Sequence, residues 1–219
     1  MRLAIVPALN EESKIGSVVQ NLFSHVDHVV VVDDGSRDKT IEKAKAAGAV
    51  VLEHIINRGQ GAALQTGHEY AMRLKADVVV HFDGDDQFDV EDVTRGITLL
   101  EENHLDIVIG KRIHSLEYKL PAMKRYVIWP GAKLVNRILG GITLSDSHCG
   151  FRVIRGTALP KLRITQDRMA HASEIPVLVG RAHLRYGELP IHVTYHRYGQ
   201  RFFQGFKVLR DLFFGRFSS

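Results

Sequence analysis

The sequence predicts an α/β sandwich built on a mostly parallel central sheet, and three observations carry that expectation. Short β-branched apolar runs alternate with stretches whose apolar residues recur at three- and four-residue steps, which are the strand and helix periods in turn. Several of the runs end directly on turn-forming or acidic residues such as Asp33-Asp34-Gly35. The chain has 219 residues, 45% of them apolar and 25% charged, which is a globular composition and long enough for one large domain with a substantial core.

The elements follow in order. Leu3–Val6 is an apolar run ending at Pro7, and Ser13 to Phe23 has helical spacing through Ile15, Val18, Val19 and Leu22. His28–Val32 is a β-branched strand. Thr40 to Ala47 reads as a helix closed by Gly48, and Val50–Leu52 as a short strand. Ala62 to Leu74 is helical, Asp77–Phe82 a strand, Asp92 to Glu102 a helix and Asp106–Ile109 a strand. The second half is less regular. Lys119 to Leu139 reads as a helix that Pro130-Gly131 must bend or break, Val153–Ile154 and His192–Tyr195 as added strands, and Phe202 to Phe217 as a return to helical spacing. The pattern divides into one domain over 1–200, with halves 1–110 and 111–200, and an amphipathic segment over 201–219.

Composition excludes several classes. A single cysteine, Cys149, rules out an internal disulfide framework and fits a reducing compartment. There is no apolar run of about 18 residues, so no spanning helix is expected. Met1 to Pro7 is too short an apolar run for a signal peptide, which points to the cytoplasm. The net charge of +4 hides an asymmetry. Residues 1–110 carry 10 Lys and Arg against 19 Asp and Glu, net −9, while residues 111–219 carry 19 against 6, net +13. The acidic half invites a metal ion, and the basic half invites phosphates, nucleic acid or an anionic membrane surface.

Ligands of a parallel α/β sheet bind outside the carboxyl ends of its strands. Three polar clusters sit at such ends: Pro7 to Glu12, Asp33 to Ser36, and Asp83 to Gln87. One alone could be a turn and a cap; three on one edge read as a site. Asp83 and Asp85 flank a glycine, and carboxylates so close repel unless a cation is near. Their hard oxygens suit Mg²⁺ or Mn²⁺, which keep coordination positions for substrate phosphates.

With PALNEE at 7–12, VDDGSRDKT at 32–40, NRGQGAALQTG at 57–67, DGDDQ at 83–87, GKR at 110–112, DSHCGFR at 146–152 and HRYG at 196–199, the chain resembles the family-2 glycosyltransferases. Within them it is most similar to the dolichyl- or polyprenyl-phosphate mannose or glucose synthases. The resemblance implies the GT-A fold, a Rossmann-like α/β/α sandwich whose first half, 1–110, binds the nucleotide sugar and whose second half, 111–200, binds the acceptor. It also implies that Pro7, Leu9, Glu11, Val32 and Asp34 line the nucleotide pocket, with Asp34 facing the base. By the same resemblance Asp83, Gly84 and Asp85 meet ribose and diphosphate, Asp85 and Gln87 hold Mg²⁺ or Mn²⁺, and Arg112 and Arg197 face the phosphates. Lys124 and Arg125 fall where an acceptor phosphate is expected, Asp146 begins the loop beside the sugar, and Glu174 falls where a family carboxylate precedes an apolar helix. Glu12 reads as a cap or turn residue, and for Asp33 both that duty and a place in the site stand open.

The family's closing motif ends in a lysine that is absent here. Arg201, two residues earlier, and Lys207, a turn later, are the available replacements. Asp86 and Phe88-Asp89-Val90 also depart from the family pattern. His148 and Cys149 lack the partners of a zinc or thiol site, and His171 and His196 are the two histidines that stand out among twelve. The implied reaction expels a nucleoside diphosphate from the anomeric carbon, with inversion. The donor is GDP-mannose or UDP-glucose, with a lean toward mannose, and the acceptor a polyprenyl or dolichyl phosphate. A phosphate acceptor needs positioning cations rather than a base; the alternative, a glycan or small-molecule hydroxyl, needs a base such as Asp146 or Glu174. A nicotinamide-binding reading fails because Pro7 to Glu12 holds no glycine, and no nucleic-acid partner is expected. Phe202, Phe206, Leu209, Phe213 and Phe217 share one helical face with Lys207, Arg210 and Arg216 interspersed, a pattern that suits peripheral attachment at a membrane interface as well as packing on the core.

Overall fold

The computed structural model describes residues 1–112, 142, 144–146 and 149–194. The helices expected over Lys119–Leu139 and Phe202–Phe217 fall outside these residues. Within them the expected alternation is present: β1 (Arg2–Ala8), α1 (Ile15–Leu22), β2 (His28–Asp33), α2 (Thr40–Ala46), β3 (Val50–Glu53), α3 (Gln60–Arg73), β4 (Val78–His81), α4 (Glu91–Glu102), β5 (Ile107–Arg112), β6 (Arg152–Arg155), a 3₁₀ turn (Gly156–Lys161), α5 (His171–Arg181) and β7 (Tyr186–Ile191).

The seven strands form one sheet in the order β3-β2-β1-β4-β6-β5-β7. β6 runs antiparallel to both of its neighbours, and the other pairings are parallel. Six strands therefore deliver their carboxyl ends to one edge, and β6 delivers its amino end there. The proline of the central strand β1 fits this arrangement. Ile5 O accepts from Phe82 N–H on the β4 side, so Pro7, two residues on, turns its missing N–H toward that side, beyond the last β1–β4 pair at Ile5 and His81. No ladder bond is lost.

Both faces of the sheet are covered, as its continuous apolar strands require. On one face Ala4, Val6, Val29, Val31, Val80 and Val153 pack with the buried sides of α1 and α4. On the other, Leu3, Ile5, Val30, Val32, Val79 and Ile154 pack with α3 and α5. Each of these valines, leucines and isoleucines contributes about 1.5–3 kcal/mol by its burial. α3 lies close against β1 because Gly67 faces it: a Cβ there would meet Ile5 Cγ2 at 2.4 Å.

The strand expected at His192–Tyr195 lies earlier in the chain. β7 pairs in parallel with β5 from Ile107↔Tyr186 to Arg112↔Ile191, and Val193 makes only an isolated bridge to Phe88. Gly187 and Pro190 masked the strand in the sequence; a proline is accommodated because β7 is an edge strand.

Candidate active site

The strand ends converge as the motif positions imply. Asn10 N–H donates to Ser36 Oγ at 2.9 Å, Arg37 N–H to Asn10 Oδ1 at 2.9 Å, and Glu11 N–H to Thr40 Oγ1 at 2.8 Å. These bonds tie the β1 loop to the β2 loop. Lys14 Nζ donates to the Asp85 main-chain oxygen at 2.7 Å, and a Cβ on Gly84 would lie 3.3 Å from Pro7 O, so the β4 loop joins the same cluster.

Asp83 is half-buried at its centre. Gln60 Nε2, from the first residue of α3, donates to its Oδ1 at 2.8 Å. Gly150, just before β6, lies so close that a Cβ there would stand 2.4 Å from Asp83 Oδ2. Burial first, and then the neighbouring Asp85 charge, push the Asp83 carboxyl up to about 6. Asp85 is also raised, chiefly by burial, and its Oδ1 accepts from Gln87 N–H at 3.3 Å. Glu11 is raised by burial and by Asp85, which places those two acids within each other's field. Asp86 occupies the left-handed region with φ 58°. Phe82 and Phe88 bracket this loop and meet Phe151 edge-to-face, with ring centroids 5.7–6.4 Å apart.

Two groups beneath the loop were not singled out by the sequence. Arg152 is 1% exposed; its Nη1 donates to Gly150 O at 3.3 Å, and its charge lies close enough to Asp83 to oppose that acid's rise. Its register partner is His81, whose Nε2 is 2.7 Å from Nε2 of His68 on α3. Burial holds His68 down at about 4 and His81 well below its usual value, so both are neutral. A lone arginine in an apolar strand, as in Gly150-Phe151-Arg152-Val153, is the signal that could have marked Arg152. For Gln60 it is the flanking glycines at a helix start.

The remaining expected residues divide. Pro7 and Glu11 are half-buried and Leu9 is 40% exposed at the site. The side chain of Val32 is enclosed in the core, so only its main chain is available to a ligand. Asp34 is buried, and its carboxylate accepts from Arg58 N–H at 2.9 Å and Gly59 N–H at 2.6 Å and pairs with His54 at 2.8 Å. It organises the loop leading to α3 rather than standing open toward a base. Asp33 Oδ2 closes the turn by accepting from Gly35 and Ser36, and Glu12 accepts from Lys39 N–H; Glu12 has the duty expected of it, and Asp33 makes the turn bonds that were one of its two readings.

Arg112 and Asp146, assigned to donor and acceptor separately, are joined: Nε and Nη2 reach the two Asp146 oxygens at 2.6 and 2.9 Å, a bidentate pair. Glu174 caps a loop, accepting from Thr165 and Gln166 N–H. Burial pushes the Cys149 thiol up to about 11, which keeps it protonated and unreactive. His171 is buried against Arg168 O. Lys124, Arg125, His196, Arg197, Arg201 and Lys207 lie outside the described residues.

Among the described residues no three His, Cys, Asp or Glu side chains cluster as a metal cage. The donors present are the Asp83 and Asp85 carboxylates, both destabilised as anions by burial, with Gln87 beside them. Such a partial set of hard oxygens fits Mg²⁺ or Mn²⁺, which take further ligands from water and phosphate. No helix among the described residues is long and apolar enough to cross a membrane.

Comparison with known proteins follows the same lines. The profile of glycosyl transferase family 2 matches residues 3–163. An uncharacterized protein of Methanocaldococcus jannaschii is 36% identical, over 95% of this chain and 89% of its own length. The UDP-N-acetylglucosamine–dolichyl-phosphate N-acetylglucosaminyltransferase of Methanococcus voltae is 31% identical, over 95% and 93%. The structure of glucosyl-3-phosphoglycerate synthase from Mycobacterium tuberculosis with Mg²⁺ and UDP superposes with a TM-score of 0.76 at 19% identity, covering 97% of this chain and 76% of that one. The shared architecture is the GT-A fold.

Proposed function

The chain belongs to glycosyl transferase family 2, and from that premise we propose that it transfers a sugar from a nucleoside-diphosphate donor to a polyprenyl or dolichyl phosphate, with inversion and with Mg²⁺ or Mn²⁺. The observation that carries the acceptor class is the commitment of the two carboxylates that a hydroxyl acceptor would require. Asp146 is held bidentately by Arg112, and Glu174 caps the Thr165–Gln166 loop. A hydroxyl nucleophile needs a free base; a phosphate monoester is already largely ionised near neutral pH and needs cations to place it. The basic second half, with Lys124, Arg125 and Arg201, supplies them. The Methanococcus voltae relative supports the same acceptor class by its name, and it supports a uridine nucleotide. The reading therefore shifts from mannose toward a UDP-linked glucose or N-acetylglucosamine.

Asp85 and Gln87 would hold the cation, with Asp83 beside it turned toward ribose and diphosphate. When bound, the cation neutralises charge on the departing diphosphate. The chain's own part is preorganisation. Gln60 and Gly150 hold the Asp83 carboxylate and the three phenylalanines pack around the loop; Arg112 and, by the family resemblance, Arg197 would add positive charge where the leaving group develops its own. Residues 201–219 would attach the domain peripherally at the cytoplasmic face of a membrane, where the lipid acceptor lies.

The test is a donor panel of UDP-N-acetylglucosamine, UDP-glucose and GDP-mannose with Mg²⁺ or Mn²⁺. Each donor is offered a short polyprenyl phosphate and, separately, the matching polyprenol. Lipid-linked sugar on the phosphate alone, lost in chelator, is expected. Transfer to the polyprenol or to a free glycan at equal rate would overturn the acceptor assignment.

A further inference from the structure

Lys14 reaches out of its own helix to another loop. It occupies the N-cap of α1 with φ −129° and ψ −31°, and its side chain makes no capping bond. An N-cap favours Ser, Thr, Asp or Asn, whose short side-chain oxygen accepts a free N–H. A lysine has no acceptor to offer, and its charge stands at the positive end of the helix dipole. The first turn of α1 holds no acidic residue to offset it.

The side chain instead leaves α1 and crosses to the β4 loop, where Nζ donates to the Asp85 main-chain oxygen at 2.7 Å. The same ammonium draws down the Glu11 and Asp85 carboxyls, both of which burial raises. Its anchor point adjoins Asp86, held in the left-handed region at φ 58°. Aspartate is one of the few residues other than glycine that takes that conformation. Lys39 stands at the start of α2 without a capping bond too, so what distinguishes Lys14 is the bridge it makes between two loops of the site.

We propose that Lys14 is a positioning residue that clasps the Asp83–Gln87 loop to the start of α1 and holds it in the shape that receives the donor diphosphate. The role rests on the donor-site reading above. The clasp fixes the Asp85 carbonyl, so the Asp85 carboxylate and the Gln87 side chain leave the backbone from a set position.

Lys14→Ser tests the idea, because serine supplies the missing cap and keeps α1 intact. Its melting temperature is expected at or above the wild-type value. Hydrogen exchange at the Asp85–Gln87 amides is expected to speed up about tenfold, the scale of one lost charged hydrogen bond. The KM for the sugar nucleotide should rise about fivefold or more, with kcat changing less, and Lys14→Arg should restore most of both. Unchanged exchange at 85–87 with unchanged KM overturns the proposal. So does faster exchange spread along α1 with a lowered melting temperature, since that assigns Lys14 to helix stability. Loop exchange that responds to Lys14→Ser in a protein that binds no sugar nucleotide keeps the clasp and refutes the donor site it was to serve.

Discussion

Replacing Gly150 by alanine adds one methyl group at the most crowded point of the site. The new Cβ would stand 2.4 Å from Asp83 Oδ2, 3.0 Å from Cγ and 3.1 Å from Oδ1. Ordinary van der Waals contact requires about 1 Å more than the shortest of these. Asp83 cannot swing freely to provide it, because it is half-buried and its Oδ1 is held by Gln60 at 2.8 Å. Either that bond breaks or β6 moves. Losing a hydrogen bond to a charged group costs about 1.5–3 kcal/mol, and that is a 10- to 100-fold fall in kcat/KM if the carboxylate acts on the donor. Overpacking itself costs about 1–3 kcal/mol, a melting temperature lower by roughly 2–12 °C in a chain of this size. Gly16 provides the matched control. A Cβ there meets nothing within 4 Å, and Gly16 lies inside α1, so Gly16→Ala should stabilise by about 0.5–1 kcal/mol with activity unchanged. Calorimetry and steady-state kinetics on both variants read the contrast. A Gly150→Ala protein with wild-type melting and wild-type kcat/KM would refute the placement of Gly150 against Asp83.

Three further outcomes are expected. His68, held at about 4 against an ordinary 6.5, and His81, held lower still, are neutral in the fold and take up protons on unfolding. Their contribution is complete above about pH 6.5 and is lost as pH falls toward 4, about 3 kcal/mol from His68 alone. Asp83, raised from 3.8 to about 6, has the opposite sign between those values, so Asp83→Asn should steepen the loss seen in urea titrations from pH 7 to 4. Asp85→Asn should fold normally yet lose nearly all turnover and its response to added Mn²⁺; full activity of this variant in excess chelator would remove Asp85 from the metal. For the Arg112–Asp146 pair, Arg112→Lys keeps the charge but not the two-point grip, so kcat should fall about tenfold, and a double-mutant cycle with Asp146→Asn should show coupling of about 1 kcal/mol or more.

Much of this architecture was legible because local signals agreed. The β-branched runs at 28–32 and 77–82 are strands within a residue or two, and the polar clusters after them meet at one edge because parallel strands end together. Three things were not legible, each for a physical reason. β7 contains Gly187 and Pro190, which only an edge position permits, and edge position is a property of the whole sheet. The commitment of Asp34 to Arg58 and Gly59 depends on a loop 24 residues on, and that of Arg112 to Asp146 on a contact 34 residues away. Neither spacing follows a local period. Lys14 was passed over because helical patterning ranks residues by the face they present, whereas its part is played by an amine that leaves the helix.

Among the described strands β6 is the one whose beginning, rather than its end, arrives at the edge of the candidate site. The two residues that lead into it and its own first residue therefore deliver Gly150 to Asp83, Phe151 to the aromatic contacts and Arg152 to the polar layer beneath, on alternating faces. A one-residue slip along β4 and β5 would exchange the faces of Phe151 and Arg152, putting a guanidinium among the aromatic rings and a ring among the histidines. The register of this strand is thus the reading frame of the site. The segment that precedes it also carries Ile142, Leu144 and Cys149 into the core and Asp146 to Arg112. Chimeras that replace residues 113–141 with those of another family member, keeping 142–152, should therefore leave the donor cradle as it is and test whether that stretch selects the acceptor.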